Sequence, residues 1–122
     1  MRAAYDFGAD AVYAGQPRYS LRARNNEFST YEALKEGIDE AHRRGKQFYV
    51  ASNIYAHNSK LKTYLDDMAP VIDMKPDALI MADPGAVDEV LHRVPGLPVH
   101  LSTQANTMNS ASARFWHRCG VE

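Results

Sequence analysis

Four short apolar runs recur along the sequence, and a stretch of helical periodicity lies between each one and the next. The runs are DAVYAG (10–15), QFYVASN (47–53), DALIMAD (77–83) and PVHLSTQ (98–104). Each has the length and the near-continuous apolar character of a strand buried on both faces. TYEALKEGIDEAHRRG places Leu34, Ile38 and Ala41 on one helical face with charges opposite, and SKLKTYLDDMAPVIDM repeats the scheme with Leu61, Leu65 and Met68. Pro70 is expected to kink or interrupt that second helix. Shorter helices are expected at about 84–93 and 109–119, and the first seven residues read as the end of another. Strand and helix in strict alternation imply parallel strands joined by right-handed crossovers, an α/β fold.

The boundaries carry their own chemistry. Ser29 with Glu32 makes an S-x-x-E capping box, Asn58 or Ser59 can cap the next helix, and Asp83-Pro84 is a cap followed by proline at the first helical position. Gly8, Gly45 and Gly120 fall where helices stop. Met1 enters in the middle of a helical pattern, and RCGVE resembles a turn leading into a further strand. Both ends therefore read as cuts, and residues 1–122 as one partial domain of a larger barrel or sheet.

Composition narrows the function classes. A formal charge of −1 and a pI near 6.5 give no global electrostatic case for nucleic acid. No apolar run approaches the roughly 20 residues of a membrane span, and the opening MRAAYDFGAD lacks a signal-peptide core, so a cytoplasmic protein without a membrane partner is expected. The single cysteine, Cys119, cannot form an internal disulfide or hold a metal or cluster by itself, and no cofactor site is expected within this stretch. H-E-x-x-H, C-x-x-C, G-x-S-x-G, Walker and G-x-G-x-x-G patterns are all absent.

Ligands in parallel α/β folds bind beyond the carboxyl ends of the strands. Those ends carry Tyr13, Gly15 and the loop QPRYSLRARNNEF; then Asn53, Tyr55, His57 and Asn58; then Asp83; then Ser102, Gln104 and Asn106. Alternation sets Leu101 and Thr103 on one face of the last strand and His100, Ser102 and Gln104 on the other; it also pairs Asn53 with Tyr49, and Asp83 with Met81 and Leu79. Asn53, Asp83, Ser102 and Gln104 are expected to converge on one mouth of mostly neutral donors and acceptors, without an evident nucleophile and base.

Each residue also has a structural reading. Asp83 serves as a helix cap, Asn53 and Gln104 as braces for loop backbone, His100 as a satisfied core histidine, and Cys119 as a small apolar residue. His42, His92 and His117 lie on helical segments, which leaves His57 as the one loop histidine. The loop 16–29 exceeds the usual βα connection of about 2–6 residues. Within it Arg18, Arg22 and Arg24 alternate with Tyr19 and Phe28, a pattern that suits phosphate or carboxylate contact beside a stacking surface, or a solvated loop pinned by its aromatics.

GADAVYAGQPRYSLRARNNEF, GKQFYVASNIYAHNSKLK, PDALIMADPG and LPVHLSTQANTMN together resemble the collagenase-like peptidase family, also called peptidase family U32, and within it the branch of tRNA hydroxylation proteins. The similarity runs through essentially the whole chain. It implies a partial TIM-like (β/α) barrel of about four parallel strands, truncated at both ends: an N-terminal half without the first strand and without anything after the fifth helix. It also implies a part in hydroxylating the wobble uridine of certain tRNAs, with tRNA as partner, Arg22, Asn53, Asp83, Ser102 and Gln104 around the substrate, and Arg18 and Arg24 on RNA or an anion. An iron–sulfur cluster, and prephenate as a carboxylate cofactor, are implied for the longer protein. The cysteine signature for the cluster is absent from this stretch. The competing reading is a collagenase-like peptidase, a hydrolase, or a peptide-binding barrel. A further expectation is self-association through open sheet edges.

Overall fold

The computed structural model describes residues 1–17 and 28–122. The order is α1 (Arg2–Asp6), β1 (Ala11–Gly15), α2 (Tyr31–Arg43), β2 (Gln47–Ser52), α3 (Asn58–Asp73), β3 (Ala78–Met81), α4 (Pro84–Arg93), β4 (Val99–Leu101), a 3₁₀ turn at Thr103–Ala105, and α5 (Ser110–Cys119). The four strands form one parallel sheet in the consecutive order β1-β2-β3-β4. This is the expected α/β alternation, in the strand order that a (β/α) barrel uses and a doubly wound sheet does not. Beyond α5 the chain returns to the sheet, where the Glu122 amide donates to the Val99 carbonyl at 2.9 Å.

One face of the sheet carries the core. Phe48 and Val50 from β2, Leu79 and Met81 from β3, and Val99 from β4 are fully buried together with Leu34 and Ile38 of α2, Tyr64 and Met68 of α3, and Val87 and Val90 of α4. Alternation along each strand selects this set, and the amphipathic stripes of α2, α3 and α4 meet it. Removing a side chain such as Phe48 or Leu79 to alanine costs about 2–5 kcal/mol by transfer and cavity terms together. Gly37 of α2 has a packing reason: a Cβ there would lie 2.6 Å from the Phe28 ring, which itself meets Phe48 edge-on at 5.4 Å.

Some boundaries differ from expectation. The cap of α2 is Thr30, whose side chain accepts from the Ala33 amide at 3.1 Å, rather than Ser29. Thr30 holds the last extended backbone (φ −122°, ψ 156°) before the helix, so its hydroxyl is the one that reaches the first turn. At α3 the cap position is His57, with no side-chain cap bond, and Asn58 already lies inside the helix. Pro70 does not interrupt α3, which runs through it to Asp73. Pro70 and Asp66 both face outward, so water can serve the Asp66 carbonyl that the proline leaves without its helical donor. Asp83 caps α4 with Pro84 at the first position, and Gly8, Gly45 and Gly120 take positive φ after their helices, as expected.

Candidate functional site

The strands' other face is the one left open. Tyr13 pairs in register with Tyr49 and Tyr49 with Ala78, while Ala51 pairs with Ile80 and Ile80 with His100. Tyr13 is 59% exposed. Ala78 carries too little side chain to separate its neighbours, and the Tyr49 ring meets the His100 ring edge to face at 4.9 Å across β3. His100 is thus held by an aromatic contact on the inner face. Tyr49 also donates from its hydroxyl to Gln47 Oε1 at 2.7 Å.

At the carboxyl ends, two loops are tied together over the end of β3. Asn53, just after β2, donates from Nδ2 to Gln104 Oε1 at 3.2 Å. Ser102 donates from Oγ to the same oxygen, and the Tyr55 hydroxyl donates to the Gln104 backbone carbonyl at 2.5 Å. The 3₁₀ turn that carries Gln104 forms because β4 stops at Leu101: Ser102 still pairs with the sheet through its amide to the Met81 carbonyl (2.7 Å), and Asn106 then closes the turn in the left-handed region at φ 53°. Ser102 within this bridge, and Ala82 at the end of β3, are buried. Asn53, Ser102 and Gln104 are thus one hydrogen-bonded cluster at the mouth.

Asp83 is placed differently. Leu79 and Met81 lie in the helix-facing core, and Asp83, which shares their parity, turns its Oδ2 to the Ala86 amide at 2.8 Å. Its carboxylate caps α4 beside Gly85, where a Cβ would come within 3.2 Å of it. His57 is exposed at the start of α3, and His42 lies at the opposite end of the sheet, where Asp77 Oδ2 bonds its Nε2 (3.0 Å) and accepts from the Phe48 amide (2.8 Å). Arg18, Arg22 and Arg24 fall outside the described residues. Tyr55 and Gln16 stand in the strand-end segments that the sequence marks, but their environments were not legible there: Tyr55 reaches Gln104 across 49 positions, and Gln16, which follows β1, is fully buried although it stands in a polar loop sequence.

The description "Peptidase family U32" matches residues 1–122, the whole chain. The chain belongs to peptidase family U32. Among curated relatives it is 61% identical over 121 residues to the tRNA hydroxylation protein P of Haemophilus influenzae and 58% identical over 121 residues to that of Escherichia coli. Each alignment takes in 99% of this chain and 26% of the relative, so the chain spans about a quarter of the length of these curated relatives. Among solved structures, the U32 peptidase Mk0906 superposes with a TM-score of 0.71 at 20% identity, over 93% of this chain and 49% of that one. The resemblance read from the four sequence blocks is therefore borne out, and the α/β architecture with it.

An iron–sulfur cluster needs several cysteine thiolates. This chain offers Cys119 alone, exposed at the end of α5, and the described residues contain no group of three or more His, Cys, Asp or Glu side chains placed to hold a metal ion. These residues do not fit such a cluster.

Proposed function

We propose that this chain is the substrate-holding part of a protein that hydroxylates the wobble uridine of tRNA. The observation that carries the reading is the mouth itself: neutral amides and a hydroxyl, from Asn53, Ser102 and Gln104, gathered by hydrogen bonds at the carboxyl ends of a parallel sheet. Such a set orients a polar heterocycle and supplies neither electrons nor a nucleophile. Two relatives, 61% and 58% identical, bear the name of tRNA hydroxylation proteins and align along nearly all of this chain. On this reading the strands close into a full barrel in the longer protein, and that remainder brings the redox centre.

Arg18, Arg22 and Arg24 are assigned to phosphate or to a carboxylate cofactor such as prephenate, on their sequence pattern alone. A cytoplasmic location follows from the substrate class, and no described helix is long and apolar enough to cross a membrane. The peptidase reading rests on the family's name. At this mouth Ser102 is bonded to an amide oxygen, not to a base that could activate it. If the isolated segment were produced alone, β1 and β4 would be its edge strands, the places where a second copy would add.

The test is deletion of the parent-length gene from its host, followed by nucleoside mass spectrometry of bulk tRNA. Loss of hydroxyuridine, restored by the intact gene, is the expected result. An unchanged nucleoside profile in a host without a redundant enzyme would overturn the reading.

A further inference from the structure

We infer that Gln104 is the specificity-determining donor of the mouth, and that it selects a pyrimidine with a carbonyl, not an amino group, at the ring's 4-position. The inference rests on the tRNA-uridine reading above and assigns a role within it. Gln104 receives hydrogen bonds from Asn53 Nδ2 and Ser102 Oγ at its side-chain oxygen and from the Tyr55 hydroxyl at its backbone oxygen. A carboxamide oxygen has two lone pairs, and both are taken here. The amide plane is thereby fixed, with the oxygen turned into the bridge between the two loops. The Nε2 edge, with its two N–H donors, is turned the other way, and among the described residues it meets no acceptor.

A fixed pair of donors recognises an acceptor. Uracil presents a carbonyl oxygen at position 4, whereas cytosine presents an amino group there, itself a donor. Cytosine in the same pose would set donor against donor and strip both of water, the mismatch by which a hydrogen-bonding site rejects a near-isostere most strongly. Asn53 and Ser102 act here as positioning residues, since they hold the oxygen side of the amide.

Gln104→Glu isolates the outward edge. One carboxylate oxygen still accepts from Asn53 and Ser102, so the bridge survives, while the outward –NH₂ becomes a second acceptor. In the deletion host, the intact full-length gene restores hydroxyuridine if the tRNA reading holds; failure at that step overturns the reading itself. Given restoration, the Gln104→Glu form is expected to make on the order of a hundredfold less hydroxyuridine per unit of folded protein, with a melting temperature within about 3 °C of the parent. Purified full-length protein should also prefer a tRNA transcript with uridine at the modified position over the same transcript with cytidine, and Gln104→Glu should lower that preference at least about tenfold. Parental hydroxyuridine, or an unchanged preference, in Gln104→Glu would overturn the inference and leave Gln104 as a brace. If Gln104→Glu does not accumulate, Gln104→Met, similar in length and without a donor, takes its place: loss of hydroxyuridine at an unchanged melting temperature supports the role, and retention overturns it.

Discussion

The Tyr55 hydroxyl donates to the backbone carbonyl of Gln104 at 2.5 Å, so the loop after β2 holds the turn after β4 across the end of the strand between them. Tyr55 is 55% exposed, and little of its ring area depends on the contact. Tyr55→Phe keeps the ring and removes the bond, which should cost about 1 kcal/mol or less in global stability. Its effect should be local: the Ala105 and Asn106 amides, which close the 3₁₀ turn on the Ser102 and Thr103 carbonyls, should exchange hydrogen faster. Exchange measured residue by residue checks this, and unchanged rates at both amides would show that the turn stands without Tyr55.

Asp83 separates into two measurable roles. As the cap of α4 it needs only an acceptor, and asparagine caps about as well as aspartate. Asp83→Asn should therefore match the parent in denaturant midpoint, whereas Asp83→Ala should lose about 1 kcal/mol. Hydroxyuridine formation by the Asp83→Asn form then reads any contact of the carboxylate with ligand independently of the cap.

What was legible in the sequence was whatever local periodicity encodes. The strands and helices follow from runs and stripes only a few residues long, and parity within a strand set Asn53 with Tyr49 and Ser102 with His100; that these lie on the face away from Leu79 and Met81 is fixed by the register between strands. The same parity set Asp83 with those core residues, which is why it turns to α4. The pairing of Asn53 with Gln104, 51 positions apart, is a contact through space that no window of sequence contains. That α3 runs on through Pro70 was not legible, because the cost of a proline in a helix depends on which face it occupies, and that is a tertiary fact. Gln16 lay in a polar stretch, yet its amide continues the β1 ladder to the Ala51 carbonyl at 3.1 Å and carries it into the interior.

The choice between Ser29 and Thr30 shows the same limit at the scale of one residue. Both are good capping residues, and the Glu32 spacing favours Ser29 on paper. The backbone leaves the extended region after Thr30, so Thr30 makes the bond. Thr30→Ala should destabilise the protein by about 1 kcal/mol and Ser29→Ala by a few tenths at most. Denaturant midpoints of the two variants decide it, and a larger loss in Ser29→Ala would restore the capping box.

Glu40 is the group whose ionisation should show most clearly in acid. Arg43 donates to one of its carboxylate oxygens at 2.6 Å and Arg44 to the other at 2.8 Å. These bonds hold its pKa at about 2, down from an ordinary 4.5. Arg44 also donates to Asp6 at 2.8 Å, so the network joins α1 to the end of α2. A carboxyl whose pKa is lower folded than unfolded contributes stability that is complete above the unfolded value and is lost as protons bind between about 4.5 and 2. Glu40→Gln should therefore melt below the parent at pH 7, with a gap that narrows from pH 4.5 downward and closes near pH 2. Added salt should shrink the gap at neutral pH, since the arginines are partly solvated. A gap independent of pH would mean that Glu40 contributes through packing and neutral hydrogen bonds alone, because only the ionised form draws on the two guanidinium groups.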